Sequence, residues 1–335
     1  MFSSAQGQYD IYLLFIEHGI NLLKENGVVC YINPIRFFNA DYGIGCRKYI
    51  IKNSSIHFIL DISQLPVFQN ALTYPCINTL IKTKNSDIVK YCKLEDLKKL
   101  STLKLNQYLI FSKTHFSKPE DYKFIIPQNA RVASIIEKID SSKLTIDTFY
   151  NNARGLANNK VDFTGTEYTA IKSKSAQRYH ILDKIAISTL HSERFIDEMI
   201  ILPRTIRELK ATIKPKGLIL LDRIYYLTPK TKVNQHFVLG VLNAKITNYW
   251  FEHYYSSTKV SGNYFDLNGN QIASIPIPCA SENDQQIIAK LVSEILKTKE
   301  NNHLTDTTPI EQHIDEIIYK LYNLTDDERK LIEQA

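Results

Sequence analysis

The chain has no Pro-Pro pair, no C-x-x-C pair and no apolar run approaching the roughly 18 residues that a membrane span needs. Its five cysteines, Cys30, Cys46, Cys76, Cys92 and Cys279, stand singly with no histidine at ligand spacing. That spacing argues against a disulfide framework or a zinc knuckle and predicts small, buried, apolar side chains. The N-terminus has no basic region leading into a short apolar core and a small-residue cleavage site, so no secretory leader is predicted and the cytoplasm is the expected location. Nine histidines are scattered without a paired carboxylate or nucleophile, and nothing reads as a Ser-His-Asp or Cys-His site. Gly43-Ile44-Gly45 precedes a helix and reads as a turn; a Gly-rich loop of the kind that cradles a nucleotide is missing.

What is present begins abruptly. GQYDIYLLFIEHGINLLKENGVVCYINP, residues 7–34, is an amphipathic helix running into an apolar strand, the pattern of the second half of a nucleotide-binding α/β sheet. The expectation is therefore half of a catalytic machine, with its cofactor loop supplied elsewhere. Ile11, Leu14, Phe15, His18 and Leu22 share one helical face, Glu25-Asn26-Gly27 stops the helix, and Val28 to Ile32 read as a strand buried on both faces. A helix near 41–52 leads to strands at 56–62 and 74–82, joined at Ser63–Thr73 in an antiparallel hairpin at the sheet edge. Residues 84–125 are Lys-rich and read as a connector containing a helix, with Leu94, Leu97 and Leu100 on one face. Residues 1–125 form the first region.

The second region, 126–280, carries short Thr, Tyr and Ile runs broken by Asn-Asn, Gly and Pro, which predicts a mixed α/β domain. Its clearest strands are Ile200–Leu202, Leu218–Leu221 and Tyr225–Leu227. Around 235–255, Phe237, Leu239, Val241, Leu242, Ile246 and Trp250 suit a helix packed on that sheet. The third region, 281–335, holds two helical segments, 283–299 and 309–322, with Pro309 placed for a first turn. At 335 residues and 44% hydrophobic, the chain can bury two domain-sized cores.

Charge is unevenly placed. Residues 280–335 carry 6 Lys/Arg against 12 Asp/Glu, although the whole chain is +6. Residues 203–232 hold eight cations, Arg204, Arg207, Lys210, Lys214, Lys216, Arg223, Lys230 and Lys232, against Glu208 and Asp222. Such a segment is either a solvated basic hairpin or a footprint for phosphate.

In their order, YDIYLLFIEHGINLL, NGVVCYINPIRFF, CRKYI and ILDISQLPVFQNALTYPCINTLIK resemble the later motifs of TaqI-like and Eco57I-like adenine-specific DNA methyltransferases, the group that includes type IIG restriction-modification enzymes. ARGLANN, FVLGVLNAKITNYWF and QIASIPIP resemble the target-recognition domain of the same group, and IEQHIDEIIYKLYNLTDDERKLIEQA resembles its usual terminus. The resemblance implies an α/β fold: a partial Rossmann-like methyltransferase sheet, a mixed α/β target-recognition domain and a helical C-terminal tail. It implies double-stranded DNA as ligand, S-adenosylmethionine as methyl donor in the complete enzyme, and an N-terminal methyltransferase half or subunit as partner. A homodimer through the first 80 residues, by way of an uncovered sheet edge, is a second expectation. The family's Asn/Asp-Pro-Pro-Tyr/Phe tetrapeptide is missing, and Asn33-Pro34-Ile35 falls after the wrong strand to replace it, so no catalytic or cofactor-binding residue is assigned and the chain is expected to be inactive alone.

Phe68, in Pro66-Val67-Phe68, stands where the family stacks a phenylalanine on the flipped adenine; closing the hairpin core is the plainer role. For DNA contact the sequence offers Arg154 beside Gly155 with Asn158 on a flexible loop, Arg204, Arg207 and Lys210 at helical spacing after Pro203, Lys214 and Lys216 around Pro215, and Lys259 in the loop SSTKVSGNY. Polar loops and solvated faces account for the same residues. Asp121-Tyr122-Lys123 resembles the end of a nuclease site but lacks the Pro-Asp partner. A stand-alone specificity subunit similar to those of type I systems is the alternative, carried by IPIPCASENDQQIIAKLVSEIL.

Overall fold

A computed structural model describes residues 2–68, 73–83, 88–102, 108–112, 122–126, 129–259 and 263–335. Asp121, Gly262 and the middle of the Ser63–Thr73 turn lie outside the described residues. The chain forms two compact units, Met1–Ala133 with His253–Thr258, and Ser134–Glu252 with Lys259–Ala335. Among the described residues no helix is long and apolar enough to cross a membrane.

The first unit opens with helix α1 (Tyr12–Leu22) and strand β1 (Val28–Pro34), followed by helix α2 (Ile44–Asn53), β2 (Ser55–Asp61), β3 (Pro75–Ile81), β4 (Ile88–Lys93) and β5 (Leu109–Ser112). The sheet order is β1-β3-β2-β4-β5. β3 runs antiparallel between β1 and β2, which makes β1 and β2 parallel to each other. β2 and β4 pair in parallel, and β5 returns antiparallel. The hairpin of β2 and β3 is therefore internal to the sheet, not at its edge. The Lys-rich connector also departs from expectation. It supplies β4 and β5, in which Val89, Tyr91 and Phe111 join the core, while Leu97–Thr102 makes only a 3₁₀ turn.

The largest departure concerns α1 and β1. The core face of α1 is Leu13, Ile16, Gly19 and Ile20, not the stripe read from the sequence. Ile11, Phe15 and Leu22 are 66%, 57% and 72% exposed. Among the described residues β1 is paired only with β3, and its alternate residues Val28, Cys30 and Ile32 are exposed. A strand buried on both faces was expected because Val-Val-Cys-Tyr-Ile has no polar residue. In this chain, one face and one edge of that strand are uncovered.

The second unit has a four-stranded antiparallel sheet in the order Thr212–Lys214, Met199–Pro203, Ile224–Pro229, Tyr150–Arg154. A three-stranded sheet in the order Ile185–Ile187, Tyr168–Ile171, Ile219–Leu220 shares its core, around Leu156, Ile171, Ile187, Phe195, Ile201 and Tyr226. Gly155 lets the chain cross between the sheets: a Cβ there would lie 2.3 Å from the Leu221 carbonyl oxygen, so only glycine passes. Helices Gln235–Asn243 and Lys245–Tyr255 break at Ala244, where Asp315 accepts the Lys245 N–H at 2.9 Å. Helix Glu282–Asn301 approaches Gln235–Asn243 closely at Gly240, whose added Cβ would sit 2.8 Å from Ile288. Thr308–Leu321 and Asp326–Glu333 complete the helical tail. Three cysteines are buried as expected, but Cys30 and Cys279 are exposed; all five are free.

Candidate nucleic-acid interface

The positions predicted for DNA contact fall into two groups. Arg154 ends the strand Tyr150–Arg154 rather than sitting on a loop, and its register partner is Tyr225. Its guanidinium donates to the Asp222 carboxylate at 3.0 Å, with both side chains well exposed. Pro203 leads into no helix: the next residues, Thr205–Ile206, are a short strand paired with Phe265–Asp266. The spacing of Arg204, Arg207 and Lys210 therefore marks no common face. The pairing instead brings Arg204 against Asp266 at 2.7 Å, and Arg207 lies over the Tyr264 ring, 4.7 Å from its centroid. The bond from Asp266, helped by its charge, raises the Arg204 pKa against the opposing effect of burial.

The two Arg–Asp pairs meet around Tyr225, whose hydroxyl lies in the field of Arg154, Arg204, Asp266 and Asp222. The turn between them is drawn tight by the Arg204 N–H, which donates to the Arg223 carbonyl at 2.7 Å, with Arg223 itself at φ 68°. Arg194 extends the patch by donating to the Arg154 carbonyl and to the Tyr226 hydroxyl. Sequence spacing carried no signal for Arg194, which reaches the Arg154 carbonyl across 40 residues from the 3₁₀ turn Ser192–Phe195. Asn158 and Lys160 are exposed in the 3₁₀ turn Asn158–Lys160 that follows.

The other predicted residues lie elsewhere. Lys214 is fully buried, and its ammonium donates to the carbonyls of Phe195, Asp197 and Pro215 at 2.7, 2.6 and 3.1 Å. It holds the Pro215–Gly217 turn and cannot reach a phosphate. Lys210 donates to the Gln177 side chain, and Lys259 is bonded to Glu252 while lying over the Phe265 ring. Lys216 is exposed on the turn. In the first unit, Leu65 and Val67 pack on Leu60, Ile62, Cys92 and Leu94, whereas Phe68 is 47% exposed. Closing the hairpin core thus falls to Val67, and the Phe68 ring keeps an open face. Lys123 is buried, with its ammonium 3.1 Å from the Tyr255 hydroxyl and over the Tyr254 and Tyr255 rings, an arrangement unlike an open nuclease site.

Alternating arginines and aspartates on exposed strand ends offer paired donors and acceptors, the chemistry that distinguishes base edges in a major groove. Residues 89–277 match the TaqI-like C-terminal specificity domain, which is more than half of the chain. The chain belongs to that family. Residues 1–68, ahead of the specificity domain, match the Eco57I restriction-modification methylase. Over 111 residues the chain is 37% identical to the type II restriction enzyme and methyltransferase RM.Eco57I of Escherichia coli, covering 33% of this chain and 11% of that protein. It is 26% identical over 217 residues to the type II methyltransferase M.AccI of Acinetobacter calcoaceticus, covering 62% of this chain and 38% of the relative. The chain thus spans well under half the length of both relatives. The type IIL restriction-modification enzyme MmeI, solved in complex with DNA, shares the fold with a TM-score of 0.56 at 10% identity, over 95% of this chain and 49% of that one.

Proposed function

We propose that this chain reads the target sequence in double-stranded DNA on behalf of an adenine-specific DNA methyltransferase of the restriction-modification type, in the cytoplasm. The observation that carries the reading is the pair of Arg–Asp bridges around Tyr225, one exposed and one half-buried, within a TaqI-like specificity domain. Each bridge fixes an arginine fork that meets guanine O6 and N7, and sets beside it a carboxylate that accepts from cytosine N4. Asn158, Lys160 and Lys216 add exposed donors for base edges and phosphates.

The first unit supplies the later strands of the methyltransferase sheet. The exposed residues Ile11, Phe15 and Leu22 of α1, and Val28 and Ile32 on the side of β1 turned away from α1, together with the edge of β1 that is unpaired among the described residues, suit docking of the methyltransferase part that carries the earlier strands. A stand-alone specificity subunit has no need of such an edge, so the methyltransferase reading is preferred. Phe68, with its ring half open, would lie against the extruded adenine.

S-adenosylmethionine supplies the methyl group in this chemistry, and the end of β1 leaves it no room. At the end of β1, Asn33 is buried and accepts from Asn78 at 2.8 Å, and Ile35, Phe37 and Phe38 fill the space beyond. The cavity among them is about 10 Å³. The cofactor would be held by the partner part.

Selection from a pool of random-sequence duplexes tests the reading. Enrichment of one motif by the intact chain, lost in Arg154→Ala and Arg204→Ala, is the expected result. Equal retention of all sequences would overturn it.

A further inference from the structure

Leu190 is 94% exposed, more than any other large apolar side chain among the described residues. A lone exposed leucine is ordinary on a flexible loop. This one is fixed. Ser188 exchanges both backbone hydrogen bonds with Asp162 at 2.9 Å. The Thr189 hydroxyl donates to the Lys160 carbonyl at 2.8 Å and accepts the His191 N–H at 3.2 Å. The Ser192 hydroxyl then meets that of Tyr168 at 3.2 Å. Anchors on both sides of Leu190 stop the loop from folding its side chain onto the protein.

The surroundings indicate what that side chain meets. One anchor is the carbonyl of Lys160, in the exposed turn after Arg154, and Arg194, four residues beyond Leu190, is bonded to the carbonyl of Arg154. The loop is thereby tied at two points to the segment Arg154–Lys160. Of the nearby acids, Asp162 accepts from the Thr164 N–H and hydroxyl. A fixed apolar tip on a loop tied to the cation-bearing segment Arg154–Lys160 matches the needs of a side chain pressed between stacked bases while cations hold the flanking phosphates.

We propose that Leu190 is a wedge that enters the base stack of bound duplex DNA. The inference rests on the DNA-recognition reading above and adds a mechanical role: prying apart one base step lowers the cost of extruding a base close by. It assigns the loop Ser188–Ser192 to distortion of the duplex, with sequence readout left to the Arg–Asp pairs.

Because the wedge pays for unstacking, it favours DNA already opened. The intact chain is titrated with a duplex bearing one central abasic site and with its unmodified counterpart, at two salt concentrations. The wild type is expected to prefer the abasic duplex by about tenfold, the scale of burying most of one leucine side chain. Leu190→Ala should lose that preference, and Leu190→Met should keep it, with thermal stability unchanged in both because the side chain makes no packing contact that folding needs. An equal preference in Leu190→Ala, or salt-sensitive duplex binding by the wild type with no preference, would overturn the wedge and leave the recognition reading standing. Absence of any salt-sensitive duplex binding would overturn both.

Discussion

The two units expose opposite chemistry. On the first, Ile11, Phe15 and Leu22 of α1, and Val28 and Ile32 on the opposite side of β1, are exposed apolar residues, and among the described residues one edge of β1 is unpaired. On the second, the exposed large apolar side chains stand apart along the chain, Leu190 foremost, and the backbone around Tyr225 carries two arginines bridged to aspartates. Bare apolar surface is favourable only when another protein covers it, whereas fixed guanidinium and carboxylate groups stay hydrated until a matching polar surface arrives. Under the proposed function, the first unit takes a protein partner and the second a nucleic acid.

Variants that affect one surface and spare the other sharpen the contrast. Replacing Phe15 and Leu22 together by Ser should abolish association through the first unit, at a cost of about 3–6 kcal/mol if both side chains are buried in the complex. Light scattering of the chain alone and with added methyltransferase part would measure this, and loss of self-association alone would show that the face joins two copies. DNA affinity should not change. Arg204→Ala should weaken duplex binding by about 1–3 kcal/mol while leaving association intact, since it removes one arginine fork and releases Asp266 as an unpaired repulsive charge. Fluorescence anisotropy would record it.

Lys214→Met separates folding from recognition within the basic segment. It leaves the carbonyls of Phe195, Asp197 and Pro215 without their donor, which should lower stability by about 1–3 kcal/mol in denaturant titration. The affinity of the folded fraction for DNA should stay as it was, in contrast to Arg204→Ala.

The smallest effect belongs to the tail. Burial pushes the Glu328 carboxyl up, but bonds from Lys138, the Thr325 N–H, Ser134 and the Thr325 hydroxyl outweigh it and hold its pKa at about 2, below the ordinary 4.5. A depressed carboxylate contributes its full stability above the unfolded value and loses it as pH falls from about 4.5 toward 2. Glu328→Gln should cost about 1 kcal/mol near neutrality, comparable to a lost helix cap, and should flatten stability against pH in that acid window. Unchanged acid unfolding would show that the Thr325 capping box is not tied to Lys138 in solution.

The long apolar elements were legible because their pattern is local. The strands at Met199–Pro203 and Ile224–Pro229 lie where composition places them, and the helical stretch at 235–255 does too, although it breaks at Ala244 into two helices. The face of α1 was not legible, since Leu13, Ile16 and Ile20 are as apolar as Ile11, Phe15 and Leu22, and only packing decides between them. The candidate site was partly legible. Arg154, Arg204 and Arg207 stand on the exposed patch, but their acidic partners come from strand pairing across 68 residues for Asp222 and 62 for Asp266. Lys214 has the composition of a phosphate anchor and the surroundings of a core residue, a difference that no neighbouring letter in the chain announces.

The central claim, that the second unit binds duplex DNA through these fixed charges, is tested most directly by the salt dependence of duplex binding, with S-adenosylmethionine titrated calorimetrically in parallel. The account predicts an affinity that falls linearly on logarithmic axes with salt, a shallower slope when Lys160 or Lys216 is removed, and no heat from the cofactor. Salt-independent binding, or tight cofactor binding by the chain alone, would contradict it.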